Sequence, residues 1–172
     1  RDTGWKIAAA HVMKVKRFGD ERAQPASAAS LKGVWRLVHV EERDAKGKAT
    51  VLPVQGGLFI FADRHYSVVG SEGSGTVASF ATPWTPTDAD RLKRYAALTA
   101  NAGSYEIDGT TMTIRPVAAK VPDFMGGWAR YEVRLSGDAL SLTYVKVLSR
   151  DGVPMQEYES GARFEYRLVR VE

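Results

Sequence analysis

Between residues 128 and 148 the chain alternates large apolar and polar side chains on either side of one short pair, Gly137-Asp138. A two-residue turn fixes the register of the strands it joins. It sets Leu135 opposite Leu140, Val133 opposite Leu142 and Tyr131 opposite Tyr144, so one face is wholly apolar or aromatic. The other face sets Arg134 against Ser141 and Glu132 against Thr143, a pattern that suits water. Turn chemistry and side-chain pattern agree. The rest of the chain must therefore accommodate an antiparallel hairpin with one greasy face.

Other segments repeat the period of two. Gly57–Ala62 and His65–Gly70 flank Asp63-Arg64, which predicts Phe61 opposite Tyr66 and Phe59 opposite Val68. Ser104–Ile107 and Thr110–Arg115 flank Asp108-Gly109, which predicts Ile107 opposite Thr110 and Tyr105 opposite Met112, with Tyr105, Ile107, Met112 and Ile114 sharing a face. Near the end, Phe164, Tyr166 and Leu168 alternate with Arg163, Glu165 and Arg167. In Leu31–Glu42 the period puts Trp35, Leu37, His39 and Glu41 on one face and Val34, Arg36, Val38 and Val40 on the other. Both faces are partly apolar, so the period alone does not choose the inside. The count is about eight strands, mostly joined locally. The expected fold is all-β, an antiparallel up-and-down β-barrel, because closure buries the apolar face and removes the sheet edges.

One helix interrupts the strands. Thr85-Pro86-Thr87 is a start signal with Asp88 and Asp90 behind it, Leu92, Tyr95, Ala96 and Thr99 form a modest stripe, and Asn101-Ala102-Gly103 reads as the stop. The stretch before it is rich in Gly and Ser yet carries Phe80 and Trp84. The helix and this loop form either a lid over an open barrel end or a packed connection.

The chain divides into an N-terminal extension or linker, residues 1–30, and a barrel domain, residues 31–172. Trp5, Ala8, Val12 and Val15 fall at helical spacing among Lys6, Lys14, Lys16 and Arg17, which predicts a partly helical extension. It reads either as an amphipathic surface helix or as a tail packed outside the barrel. No apolar run is long enough to span a membrane as a helix. Cysteine is absent, which excludes disulfides, thiol nucleophiles and thiolate metal sites. The net charge of +4 comes from Lys and Arg scattered among acids, so no nucleic-acid partner is expected. These features select neither bacterial cytoplasm nor periplasm, and they leave a homo-oligomer open.

Three motifs then occur in order: Leu31, Gly33, Trp35, Leu37 and Val38 at the start, Gly103, Tyr105, Glu106, Asp108 and Gly109 after the helix, and Tyr131, Val133, Leu135, Gly137, Asp138, Leu140 and Leu142 in the late hairpin. In this the chain resembles the lipocalin-like domain family of bacteria and fungi, from about Leu31 to Val171. It departs from the family pattern at Asp63-Arg64, where relatives tend to have Asp-Gly, and at Thr113, Ile114 and Arg115, where they often carry His. The resemblance implies a barrel around a small hydrophobic ligand. It also implies that Trp35 plugs the closed end under a basic residue of the last strand, for which Arg170 has the right phase. Leu37, His39 and Glu41 then point inward with Trp35.

The expected ligand-binding set is Leu37, His39, Phe59, Phe61, Tyr66, Tyr105, Met112, Tyr131, Tyr144, Phe164 and Tyr166, with Trp35 and Arg170 structural. His39 and Glu41, two apart on a strand, form the candidate acid–base pair for catalysis, or else meet water at the rim. His65 sits beside a turn and His11 in the extension, and no spacing of His and acids fits a metal site. The GSEGSG run at 70–75 lacks the ending of a phosphate loop, and no serine sits in a nucleophile elbow. No cofactor is implied. The first functional reading is a barrel binding a small hydrophobic or aromatic molecule. The alternative is a cofactor-free enzyme, a cyclase or isomerase, acting on a hydrophobic substrate in the same interior. A third is an interaction module with a filled barrel.

Overall fold

The structure, a computed structural model, describes residues 25–171. The helix expected around Trp5–Val15 lies outside the described residues. In chain order the strands are β1 (Gly33–Arg43), β2 (Ala49–Leu52), β3 (Val54–Phe61), β4 (His65–Glu72), β5 (Leu98–Asp108), β6 (Thr111–Ala119), β7 (Trp128–Ser136), β8 (Ala139–Leu148) and β9 (Arg163–Arg170). Three helices accompany them: α1 (Ala28–Leu31), α2 (Asp88–Ala97) and α3 (Gln156–Glu159), with a 3-10 turn at Pro122–Phe124. β1 and β3 to β9 pair antiparallel in sequence, and β9 returns to β1, closing an eight-stranded barrel. β2 is an extra strand. Pro53, which has no N–H to give a ladder, separates it from β3, so β3 covers Gly33–Arg36 of β1 and β2 covers Val40–Arg43.

The two ends of the barrel differ because their turns differ. The β3–β4, β5–β6 and β7–β8 hairpins turn tightly at one end, and the long connections carrying α2, the 3-10 turn and α3 gather at the other. The tight end is packed solid. Trp35, Leu31, Leu140 and Leu168 are fully buried there, and Phe61 meets Tyr105 edge to face at 5.3 Å. Arg170 lies 4.1 Å over the Trp35 ring and donates to the carbonyls of Ser30 and Lys32, so the plug is also stapled to the chain entering β1.

The predicted registers hold in two of three hairpins. Phe61 pairs with Tyr66 and Phe59 with Val68, and Leu135, Val133 and Tyr131 pair with Leu140, Leu142 and Tyr144. The Asp108-Gly109 hairpin is shifted. Asp108 pairs with Thr111 and Ile107 with Met112, so the turn is Gly109-Thr110. Gly109, at φ 58°, takes the first turn position, the glycine position of a type II′ turn, while Asp108 stays in the strand. The shared face of Tyr105, Ile107, Met112 and Ile114 survives, because the shift does not change which pairs face inward.

The helix begins as expected. Thr87 is its N-cap, in a capping box with Asp90. It stops earlier than the sequence implies, at Ala97, and Leu98–Gly103 join β5 because Tyr66–Ser71 of β4 offer them a ladder. No residue of α2 is buried. Polar contacts hold it beside the open end: Arg94 donates to Ser71 at 2.6 Å and the Tyr95 hydroxyl to the Lys120 carbonyl at 2.9 Å.

Candidate functional site

The wide end opens into a cavity of about 810 Å³. That is within the range of small-molecule pockets, so the barrel is solid at one end and hollow at the other. Its wall is apolar and aromatic, with Leu37, Val40, Phe59, Val68, Tyr144, Phe164 and Tyr166 on the strands and Phe124, Tyr158 and Met155 from the connections. Tyr144 is the hub of the aromatic side, with ring centroids 4.1 Å from Tyr131, 5.1 Å from Tyr158 and 5.4 Å from Tyr166. No residue of α2 lines this space, so the helix flanks the mouth and does not cover it.

The expected binding residues separate by depth. Leu37, Phe59, Tyr144, Phe164 and Tyr166 line the cavity. Phe61, Tyr66, Tyr105, Met112 and Tyr131 also belong to the interior but are packed in the core beneath it, and the Tyr105 hydroxyl is spent on the Ala62 carbonyl at 2.8 Å. Side-chain face is a local property of a strand, whereas depth depends on which end is plugged.

His39 and Glu41 do not share the inward face of Trp35. Leu37 pairs with Leu168 and His39 with Arg167, so Val38 is an extra residue, a β-bulge. Beyond the bulge the phase reverses. Val40 and Glu42 pair with the inward Tyr166 and Phe164 and line the cavity, while His39 and Glu41 pair with Arg167 and Glu165 on the outer wall. Val40 and Glu42 were missed because an inserted residue leaves no mark in a strand whose two faces are both half apolar.

The outer wall there is a compact polar cluster. His39 Nε2 lies 3.9 Å from Glu41, which accepts from Arg43, and Glu165 accepts from Ser141 at 2.7 Å and from Arg167 at 3.0 Å. Burial alone would raise the Glu165 carboxyl, but its hydrogen bonds from Arg167 and Ser141 outweigh burial and hold it below the ordinary range. A carboxylate depressed in the folded state stabilises the fold above its unfolded value, and that contribution is lost as pH falls through the folded one. Glu165→Gln is therefore expected to lower the urea midpoint near neutrality. Parent and variant should converge in acid, below the ordinary glutamate value of 4.5. Midpoint curves that stay parallel across this range would show that the cluster contributes nothing.

Besides Ser71, Thr99, Ser149 and Ser160, the neutral polar groups in and just beneath the cavity are tyrosines and Asn101. Burial, and then the neighbouring Tyr144, keep the Tyr131 phenol protonated well above the usual tyrosine range, and burial likewise raises Tyr144. Asn101, opposite Val68, lines the wall, and its Oδ1 is buried with no hydrogen-bond partner. The sequence hides it inside a helix-stop signal. Among the described residues, the charged side chains on the lining are Glu42 and Glu72 at the open ends of β1 and β4, Lys120 just past β6 and Asp123 in the 3-10 turn. No group of three His, Cys, Asp or Glu that could hold a metal occurs among the described residues.

A family model described as a lipocalin-like domain matches residues 32–158, more than half of the chain. The matched stretch ends before β9, the strand that closes the ring. No curated protein and no solved structure matches the chain.

Proposed function

We propose that this chain, which belongs to the lipocalin-like domain family, is a binding protein that holds one small hydrophobic or aromatic molecule in the open half of its barrel. The observation that carries this is the cavity itself: about 810 Å³, walled by Phe59, Tyr144, Phe164 and Tyr166, and open at one end. An apolar guest in such a space leaves water and gains ring contacts on several sides. The alternative, a cofactor-free cyclase or isomerase, needs acid–base groups that face the guest. His39 and Glu41 stand on the outer wall, which favours binding, and a tyrosine of the cavity wall is what the alternative would have to use.

The test uses a neutral lipophilic fluorophore, phenylnaphthylamine, whose emission rises on leaving water. It is expected to bind the parent chain saturably. Ala119 sits opposite Asn101 and lines the cavity, so Ala119→Trp puts an indole into the space without displacing the packed floor. The substitution should weaken the probe by about tenfold or more while the melting curve stays close to that of the parent. A parent chain that ignores the probe, or a variant that binds it equally well, would sink the proposal.

A further inference from the structure

Resting on that reading, we infer that Asn101, on the cavity wall, and Tyr66, packed just beneath the cavity, form a neutral polar subsite, and that it takes the hydroxyl of an uncharged phenol or polycyclic alcohol in preference to a carboxylate. Tyr66 is only 4% exposed and its hydroxyl has no hydrogen-bond partner. Asn101 lines the cavity and its Oδ1 is likewise buried and unpartnered. Orphaned buried polar groups are rare because each has given up water for nothing.

The two lie together. Val68 pairs with Asn101 and Tyr66 with Gly103, so Tyr66 and Asn101 are diagonal neighbours on the inward face of β4 and β5. Gly103 puts no side chain opposite the Tyr66 ring. A phenol can both donate and accept, and an amide offers one end of each kind, reversed by rotation about χ2. A ligand hydroxyl entering between them can therefore accept from one and donate to the other.

Charge selects the ligand class. The charged side chains of the lining, Glu42, Glu72, Lys120 and Asp123, stand at the mouth. A carboxylate driven to the floor would lose its hydration and meet neutral groups only, which is costly. A neutral hydroxyl loses much less and recovers two hydrogen bonds. The aromatic walls suit a flat, fused-ring body behind it.

The experiment measures naphthol, naphthalene and naphthoate binding to the full chain, to Tyr66→Phe and to Asn101→Leu by competition with phenylnaphthylamine at neutral pH. Tyr66→Phe deletes only an unpaired hydroxyl, so it keeps the fold even if Asn101→Leu does not. The parent is expected to prefer naphthol to both comparators by about tenfold, the worth of one good hydrogen bond. Each variant should erase most of the preference for naphthol over naphthalene, read as the ratio of the two affinities on that same variant. Equal binding of naphthol and naphthalene by the parent, a preference that survives Tyr66→Phe, or tighter binding of naphthoate each overturns the subsite and leaves the binding barrel standing. Failure of all three compounds and of the fluorophore removes the barrel reading, and the subsite with it.

Discussion

Trp35→Ala is expected to cost about 4 kcal/mol, enough to leave the chain largely unfolded if its stability is ordinary for its size. The side chain is fully buried at the plugged end, and its indole N–H donates to the Leu31 carbonyl at 2.8 Å. Its ring face is covered by Arg170, which in turn holds the carbonyls of Ser30 and Lys32. Truncation leaves a void that the closed ring of strands cannot collapse around, an orphaned carbonyl, and an arginine without its aromatic platform. Trp35→Phe keeps most of the apolar volume but loses the N–H donor, and should cost roughly 1–2 kcal/mol. The measurement is the urea midpoint at unchanged slope. A loss under about 1 kcal/mol for the alanine variant would mean that the plug is not where the stability of this barrel resides. The solid end matters to function because it is the floor under the cavity.

What the sequence reveals of this architecture follows the range of each interaction. The Gly137-Asp138 hairpin was legible to the residue, because a two-residue turn sets register by itself and the core pattern agrees with it. The Asp108-Gly109 hairpin was legible in face but not in register. Asp-Gly signals a type I′ turn, yet here Gly109 occupies the first turn position and Asp108 remains in the ladder. The plug came through the family resemblance, since nothing in the local pattern brings Arg170 to Trp35. The cavity was half legible. Five of the expected binding residues line it, Leu37, Phe59, Tyr144, Phe164 and Tyr166, because the period of two carries the inward face along each strand to the open end. Two features were invisible. The bulge at Val38 sends His39 and Glu41 outside and brings Val40 and Glu42 in. The early end of α2 turns Asn101 from a helix-stop residue into part of the wall. Both arise because strand pairing across the ring overrides a local preference.

Gly103→Ala is expected to cost about 3 kcal/mol and to weaken probe binding with it. Between Ala102 and Gly103 the β5–β6 register shifts, with Ala102 opposite Ala118 and Gly103 opposite Pro116, so β6 carries an extra residue at Val117. Pro116, which cannot donate to a ladder, is accommodated at that irregularity. The strands approach so closely there that a Cβ on Gly103 would stand 2.0 Å from the Arg115 carbonyl oxygen and 2.7 Å from the Pro116 Cα. Both atoms are backbone, so no side chain can swing away, and relief must come from parting β5 and β6. Asn101 lies two residues along β5 and Tyr66 pairs with Gly103 itself, so that displacement reaches the cavity floor. Gly109→Ala supplies the contrast. A Cβ there meets nothing within 4 Å, and the strain is only that of an L residue at φ 58°, roughly 1 kcal/mol. The Gly109 variant should therefore lose a little stability and no affinity, while the Gly103 variant loses both. Equal losses at the two glycines would mean that positive φ, and not the close approach of β5 and β6, is what this barrel cannot tolerate.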